Sequence, residues 1–198
     1  MAESNGIVVM EKPDSITFRD ISELLRKAHA QHEKNGIYMR VPHLPPEELE
    51  KWVGPEGKCF VAMDGDRLVG TSSFMVRRLN RWYCKGNVAE VTMQGVSPSH
   101  QGMHIFSILD KKCEEAVKDS GYTAIYFDTA RANTKRILIG EKEGYVLVDY
   151  FWTGNHYSVG MMKWLDGCPV PAWYRKLRFQ MKRCAVHAKR TLGLYKKK

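Results

Sequence analysis

Residues 88–109, VAEVTMQGVSPSHQGMHIFSIL, decide the fold. The first half reads as a strand that places Glu90, Thr92, Gln94 and Val96 on one face and Val91, Met93 and Gly95 on the other. Gln101 and Gly102 mark a turn, and the apolar residues beyond it follow helical spacing. The helix is expected to begin just after Gln101 and Gly102, so its first backbone N–H groups point beyond the strand end. Those unpaired donors and the helix dipole both favour negative charge. The strand carries one acid, Glu90. An acid beside an anion-binding helix start points to catalysis on a phosphorylated co-substrate.

Upstream, residues 7–10 read as a strand, and Pro13 then breaks the chain, with Asp14 or Ser15 as the expected N-cap. Residues 16–33 carry Phe18, Ile21, Leu24, Leu25 and Ala28 at helical spacing. A second helix starts at Pro45 and Pro46, with acids in its first turn, and runs to about Val53. Residues 59–76 are two strands joined at Asp64, Gly65 and Asp66, and residues 77–86 are expected to be a loop rich in Arg, Trp and Tyr. Downstream, the helix of the opening motif ends near Gly121. A strand over 123–129, a short helix from Asn133 to Glu143 and a strand-rich segment over 145–165, turning at Gly154 and Asn155, complete the body. The order β-α-α-β-β-β-α-β-α-β-β predicts an α/β (α+β) fold, a mixed, mostly antiparallel sheet flanked by helices.

The 198 residues suffice for one sizeable core, and the net charge of +9 is unevenly placed. Residues 166–198 hold ten Lys and Arg against the single acid Asp166, whereas the first 165 residues carry 21 of each sign. The expected division is therefore a balanced domain over 1–165 and a basic C-terminal extension over 166–198. The five cysteines are odd in number and widely spaced, with no C-x-x-C pair. This argues against a disulfide framework or a zinc site and for a reducing, cytoplasmic setting. The opening MAESNGIVV has no basic n-region followed by a long apolar run, and no run reaches the roughly 18 apolar residues of a membrane span.

The element order and several motifs over residues 6–165 resemble the GNAT superfamily of acetyl-CoA-dependent N-acetyltransferases. In that family the fourth strand splays from the fifth, the pantetheine arm bonds to the fourth strand's backbone, and a Q/R-x-x-G-x-G/A loop wraps the pyrophosphate. Here the loop reads Gln101, Gly102, Met103, His104, Ile105, Phe106, so His104 and Phe106 replace small residues. Glycine there avoids a Cβ against phosphate or supplies a costly backbone angle. Protonated, His104 would donate to phosphate in compensation. The alternative for His104 is an ordinary surface residue.

AEVTMQGV resembles the histone-acetyltransferase branch, which implies Glu90 as the general base that deprotonates the substrate ammonium. The alternative is a structural Glu paired with Arg77 or Arg81. The resemblance further implies that the backbone of Gln94, Gly95 and Val96 holds the thioester oxygen and pantetheine amides. It places Asn133 on the pantetheine arm, with Glu141, Lys142, Gly144 and Tyr145 completing the family element. The family's thiolate-protonating tyrosine falls at Gly140 and is missing, leaving Tyr126 or Tyr150 as stand-ins or as plain core aromatics. Substrate is expected over the first two helices and the loop 77–86, whose basic, aromatic character suits a sugar nucleotide.

Residues 171–192 place Trp173, Leu177, Met181, Cys184, Ala188 and Leu192 on one helical stripe among many cations. Such a helix reads as an interfacial helix on anionic lipid, or as one packed back on the body through Trp173 and Leu177. No nucleic-acid-binding motif is present. The implied enzyme moves acetyl from acetyl-CoA to a primary amine, an amino sugar or nucleotide sugar of a surface polysaccharide pathway being one suitable acceptor. The rivals are a degenerate GNAT-like scaffold and a polyanion-binding module. Strands after Tyr145, if exposed, would pair two copies into a homodimer.

Overall fold

In the computed structural model residues 6–194 are described, which leaves outside them the first five residues of the N-terminal segment and residues 195–198 of the basic extension. The chain forms two compact units, Met1–Arg78 with Asn87–Tyr122, and Leu79–Gly86 with Thr123–Lys198. The fold is mixed α/β, with seven mostly antiparallel strands flanked by helices and a C-terminal helix.

In the first unit the strand order is β1 (Ile7–Glu11), β2 (Lys58–Asp64), β3 (Arg67–Arg81) and β4 (Cys84–Val96). β1 pairs antiparallel with β2 from Ile7 against Asp64 to Glu11 against Phe60, and β2 pairs antiparallel with β3. Helices α1 (Phe18–Lys34), α2 (Pro46–Val53) and α3 (Ile105–Asp119) complete this unit. A core cluster joins Ile21 and Leu25 of α1, Leu49 and Val53 of α2, Cys59 of β2 and Met93 of β4. The apolar residues of α1 recur at helical spacing, so one face of the helix is buried. Its N-cap is Thr17, not Asp14 or Ser15: the Asp20 amide donates to the Thr17 hydroxyl, and the Asp20 carboxylate accepts from the Thr17 amide at 2.8 Å. That reciprocal capping box satisfies donors that an earlier cap would leave unpaired.

The expected loop over 77–86 is a correction. β3 runs to Arg81 and β4 begins at Cys84, so the basic, aromatic stretch is the end of a long hairpin. Leu79 and Tyr83 are buried, which aromatic and apolar residues favour on a pleated, half-covered surface. This tip belongs to the second unit, where the Tyr83 hydroxyl donates to Asp149 at 3.5 Å and Trp82 meets Tyr174 edge-on at 5.6 Å.

In the second unit β5 (Ala124–Ala130) and β6 (Val146–Trp152) both pair antiparallel with β7 (Tyr157–Trp164). α4 (Thr134–Lys142) follows β5, and α5 (Ala172–Thr191) lies against β6. The buried residues of α5 are Phe179 and Val186. The helix therefore packs back on its unit, but Trp173 and Leu177, the residues expected to do so, are exposed. Among the described residues no helix is long and apolar enough to cross a membrane.

Candidate functional site

The alternation expected for β4 holds around Glu90: Glu90, Thr92 and Gln94 are half-buried while Val91, Met93 and Gly95 are buried. Towards the strand's end, the Gln94 side-chain amide donates to Asp110 of α3, while Gly95 faces α1. A Cβ at Gly95 would lie 3.0 Å from Leu25 Cδ2 and 3.2 Å from Ala28 Cβ, so glycine is what lets α1 approach the strand this closely. Just before them Met93 has φ 51°, a left-handed backbone inside a strand. A non-glycine residue tolerates that only where its surroundings over-determine it. Met93 is 2% exposed in the cluster shared with α1 and α2, which provides that constraint.

The Glu90 side chain is 15% exposed, and Arg77 of β3 donates to its Oε2 at 2.7 Å. The pairing with Arg77 is the one expected of a structural Glu. Burial raises the carboxyl above its ordinary value, and the Arg77 charge and hydrogen bond pull it down without cancelling that rise. A carboxylate with raised proton affinity is a better acceptor near neutral pH than a solvated one.

His29, on α1, belongs to the same neighbourhood and escaped the sequence reading. Its Nε2 lies 2.8 Å from the Gln94 carbonyl oxygen. A carbonyl only accepts, so Nε2 carries the proton and Nδ1 is the bare nitrogen. Nδ1 is buried, with no hydrogen-bond partner among the described residues. Burial lowers the imidazole below its ordinary value, opposed by the Gln94 carbonyl, so the ring is neutral at pH 7. A neutral imidazole therefore clamps the backbone at the first of the three residues expected to hold pantetheine.

Beyond β4, a 3-10 turn, Pro98–His100, leads into the loop. His100 Nε2 pairs with the Asp64 carboxylate at 3.1 Å, which ties the turn to the β2–β3 hairpin. The Gln101 side-chain amide folds back to the Val96 carbonyl at 3.3 Å. Gln101, Gly102, Met103 and His104 are exposed, Ile105 is buried and Phe106 is half-buried. α3 begins at Ile105 rather than directly after Gly102, because His104 is its N-cap in a left-handed conformation, φ 60° and ψ 8°. Gly102 is left-handed too, at φ 88°. His104 makes no side-chain cap and the first turn carries no acid. The positive end of the α3 dipole thus meets neither a His104 side-chain cap nor a first-turn acid. Gln101, Gly102, Met103, His104, Ile105 and Phe106, the residues expected around a pyrophosphate, line that end.

Asn133 lies in the second unit, buried, as the N-cap of α4. Its Oδ1 accepts from the Arg136 amide at 3.3 Å and its Nδ2 donates to Thr129 Oγ1 at 3.2 Å. Gly140 is buried, and a Cβ there would lie 3.0 Å from Phe127 Cζ and 3.3 Å from Met161 Cε. Phe127 and Met161 thus occupy the space beside the position where the family's tyrosine falls. Tyr126 and Tyr150 are both 3% exposed, and the Tyr150 hydroxyl lies 3.1 Å from His187 Nε2, so Tyr150 is bound into the α5 interface.

The family model described as the acetyltransferase (GNAT) family matches residues 19–145. No curated protein matches the chain. Among solved structures, an acetyltransferase from Streptococcus agalactiae is 16% identical with a TM-score of 0.63, over 81% of this chain and 99% of that one. An aminoglycoside 6'-acetyltransferase type Ii is 22% identical with a TM-score of 0.60, over 83% of this chain and 99% of that one. A GNAT acetyltransferase from Elizabethkingia anophelis with acetyl-CoA bound is 14% identical with a TM-score of 0.57, over 81% of this chain and 99% of that one.

Proposed function

This chain belongs to the acetyltransferase (GNAT) family, whose enzymes use acetyl-CoA as co-substrate, and we propose that it moves acetyl to a primary amine with Glu90 as proton acceptor. The observation that carries this reading is the pairing, on one stretch of chain, of a largely buried Glu90 with an uncapped, acid-free helix start. Acetyl-CoA supplies a thioester whose thiol has an acidity near cysteine's ~8.5, so the sulfur leaves without an obligatory acid. That suits a chain with glycine at position 140.

In this reading Glu90 takes the proton from the substrate ammonium, and the freed lone pair attacks the thioester carbonyl. The new N–C bond forms as the C–S bond breaks, and the departing thiolate takes the second proton from the acylated nitrogen. Arg77 holds the Glu90 carboxylate in one orientation, and His29 holds the Gln94 carbonyl so that the backbone over 94–96 stays fixed. The exposed α3 start binds the pyrophosphate. An amino sugar is the acceptor class we favour, the chemistry for which the aminoglycoside acetyltransferase neighbour is named.

The test is thiol release from acetyl-CoA across a panel of amino sugars and nucleotide sugars, with Glu90→Gln beside the parent. General-base loss lowers kcat by about 10²–10⁴. Full activity in Glu90→Gln would refute the role of Glu90. Failure of the parent to bind acetyl-CoA in calorimetry would favour a binding module instead.

A further inference from the structure

α5 has two opposed apolar faces, and only one is used within its unit. Phe179 and Val186 are buried against β6, where Phe179 meets Tyr150 edge-on at 5.9 Å. Lys182 reaches Asp149 at 3.3 Å, and the Arg190 guanidinium donates to the Tyr157 hydroxyl at 3.0 Å and covers the Trp152 ring at 4.2 Å. These contacts fix the rotation of the helix about its axis. The opposite face presents Trp173, 68% exposed, Leu177, 49%, Met181, 55%, and Leu192, 70%. With Cys184 and Ala188, also exposed, they lie within an arc of about 100° at 3.6 residues per turn, diametrically across from Phe179 and Val186. Exposed Lys176 and Arg183 border one side of this arc and exposed Lys189 the other.

We propose that this outward face of α5 docks flat on an anionic lipid surface, its apolar stripe at the depth of the headgroups and its flanking cations on the lipid phosphates. The charge decides the occupant. α5 carries seven Lys and Arg and no Asp or Glu, so two copies placed face to face would oppose like charge with like. A row of Trp, Leu and Met is also unlike a nucleic-acid groove, where exposed apolar side chains between cations would meet the phosphate backbone. An anionic leaflet satisfies both features at once: apolar side chains enter the interface and cations gain from the surface potential. The orientation is set beforehand by Phe179, Val186, Lys182 and Arg190, so docking orders few further side chains.

The experiment is co-sedimentation of the full chain with phosphatidylcholine vesicles, with and without phosphatidylserine at about a third of the lipid. Binding to the anionic vesicles is expected at least about tenfold tighter than to the neutral ones, and weaker at raised salt. The double variant Trp173→Ala, Leu177→Ser removes only exposed side chains, so its circular dichroism and acetyl-CoA binding stay at parental values. Its affinity for the anionic vesicles falls at least about tenfold. Equal binding of parent and double variant would overturn the proposal. So would absence of vesicle binding, whether accompanied by a dimer that the double variant dissociates or by binding to nucleic acid. None of these readouts depends on acetyl transfer.

Discussion

Gly95→Ala tests the contact between β4 and α1 on which the candidate site rests. The added methyl would lie 3.0 Å from Leu25 Cδ2, 3.2 Å from Ala28 Cβ and 3.8 Å from His29 Nε2. Leu25 is fully buried, and the Ala28 methyl has no torsion with which to withdraw. Forcing a methyl into such a wall costs about 1–3 kcal/mol. Alanine also narrows the unfolded ensemble, which offsets about 0.4–1 kcal/mol. The net loss is about 1–2 kcal/mol, and at 2–4 °C per kcal/mol for a chain of this size the melting temperature falls by roughly 2–8 °C. The wall that must move also carries His29. Its hydrogen bond to the Gln94 carbonyl therefore loosens, and the KM for acetyl-CoA rises along with the loss of stability. Melting by circular dichroism, with calorimetric titration of acetyl-CoA, reads both effects. A melting temperature at or above the parent's would refute the close packing of α1 on β4. A lowered melting temperature with unchanged acetyl-CoA affinity would separate the His29 clamp from cofactor binding.

Arg77→Gln removes the cation that pulls the Glu90 carboxyl down, so the acid limb of the kcat/KM profile moves to higher pH; an unmoved limb would sever Arg77 from the base. The same change alters stability: Glu90 binds its proton more tightly folded than unfolded, so stability falls as pH rises from the ordinary carboxylate range to the raised value, and Arg77→Gln deepens that fall in pH-dependent melting. His104→Gly relieves a left-handed backbone worth about 1 kcal/mol, offset by about 0.4–1 kcal/mol through glycine's freedom when unfolded, so the melting temperature holds or rises by up to about 2 °C. A fall would show that the imidazole itself holds the loop. Asn133→Ala removes the α4 cap, about 1 kcal/mol, and strips the buried Thr129 hydroxyl of a partner, lowering the melting temperature by about 2–6 °C. An unchanged value would show the cap to be idle.

The element order was legible because each element carries its own period: alternation in β4, helical spacing in α1, turn residues at Gly65 and Gly154. Three features escaped, each for a physical reason. Residues 77–86 have the composition of a polar loop, yet burial of Leu79 and Tyr83 carries the hairpin through them. His29 acts on a backbone carbonyl 65 residues away, and no side-chain spacing encodes a partner that every residue type possesses. On α5 the packing alternative named Trp173 and Leu177 of the more regular apolar stripe, whereas two residues seven apart, Phe179 and Val186, do that work. Regular spacing reports which residues share a face; it does not report which face is covered.

Two of the three departures from the family's motifs, at positions 104 and 140, differ in kind. At position 104 the motif's glycine encodes a backbone conformation. His104 adopts a left-handed one, φ 60°, and the adjoining turn supplies another at Gly102, so the loop reaches an uncapped helix start despite the residue change. The cost is roughly 1 kcal/mol of strain, small enough for the rest of the fold to carry. At position 140 the motif's tyrosine encodes a side chain with a proton. At Gly140 that side chain is absent, and Phe127 and Met161 fill the space beside it, at 3.0 and 3.3 Å from where a Cβ would lie. A conformation can be supplied by another residue at a modest energy, but a functional group cannot. The backbone shape of the loop therefore persists despite His104, and the catalysis we propose relies on the leaving ability of the thiolate and the basicity of Glu90.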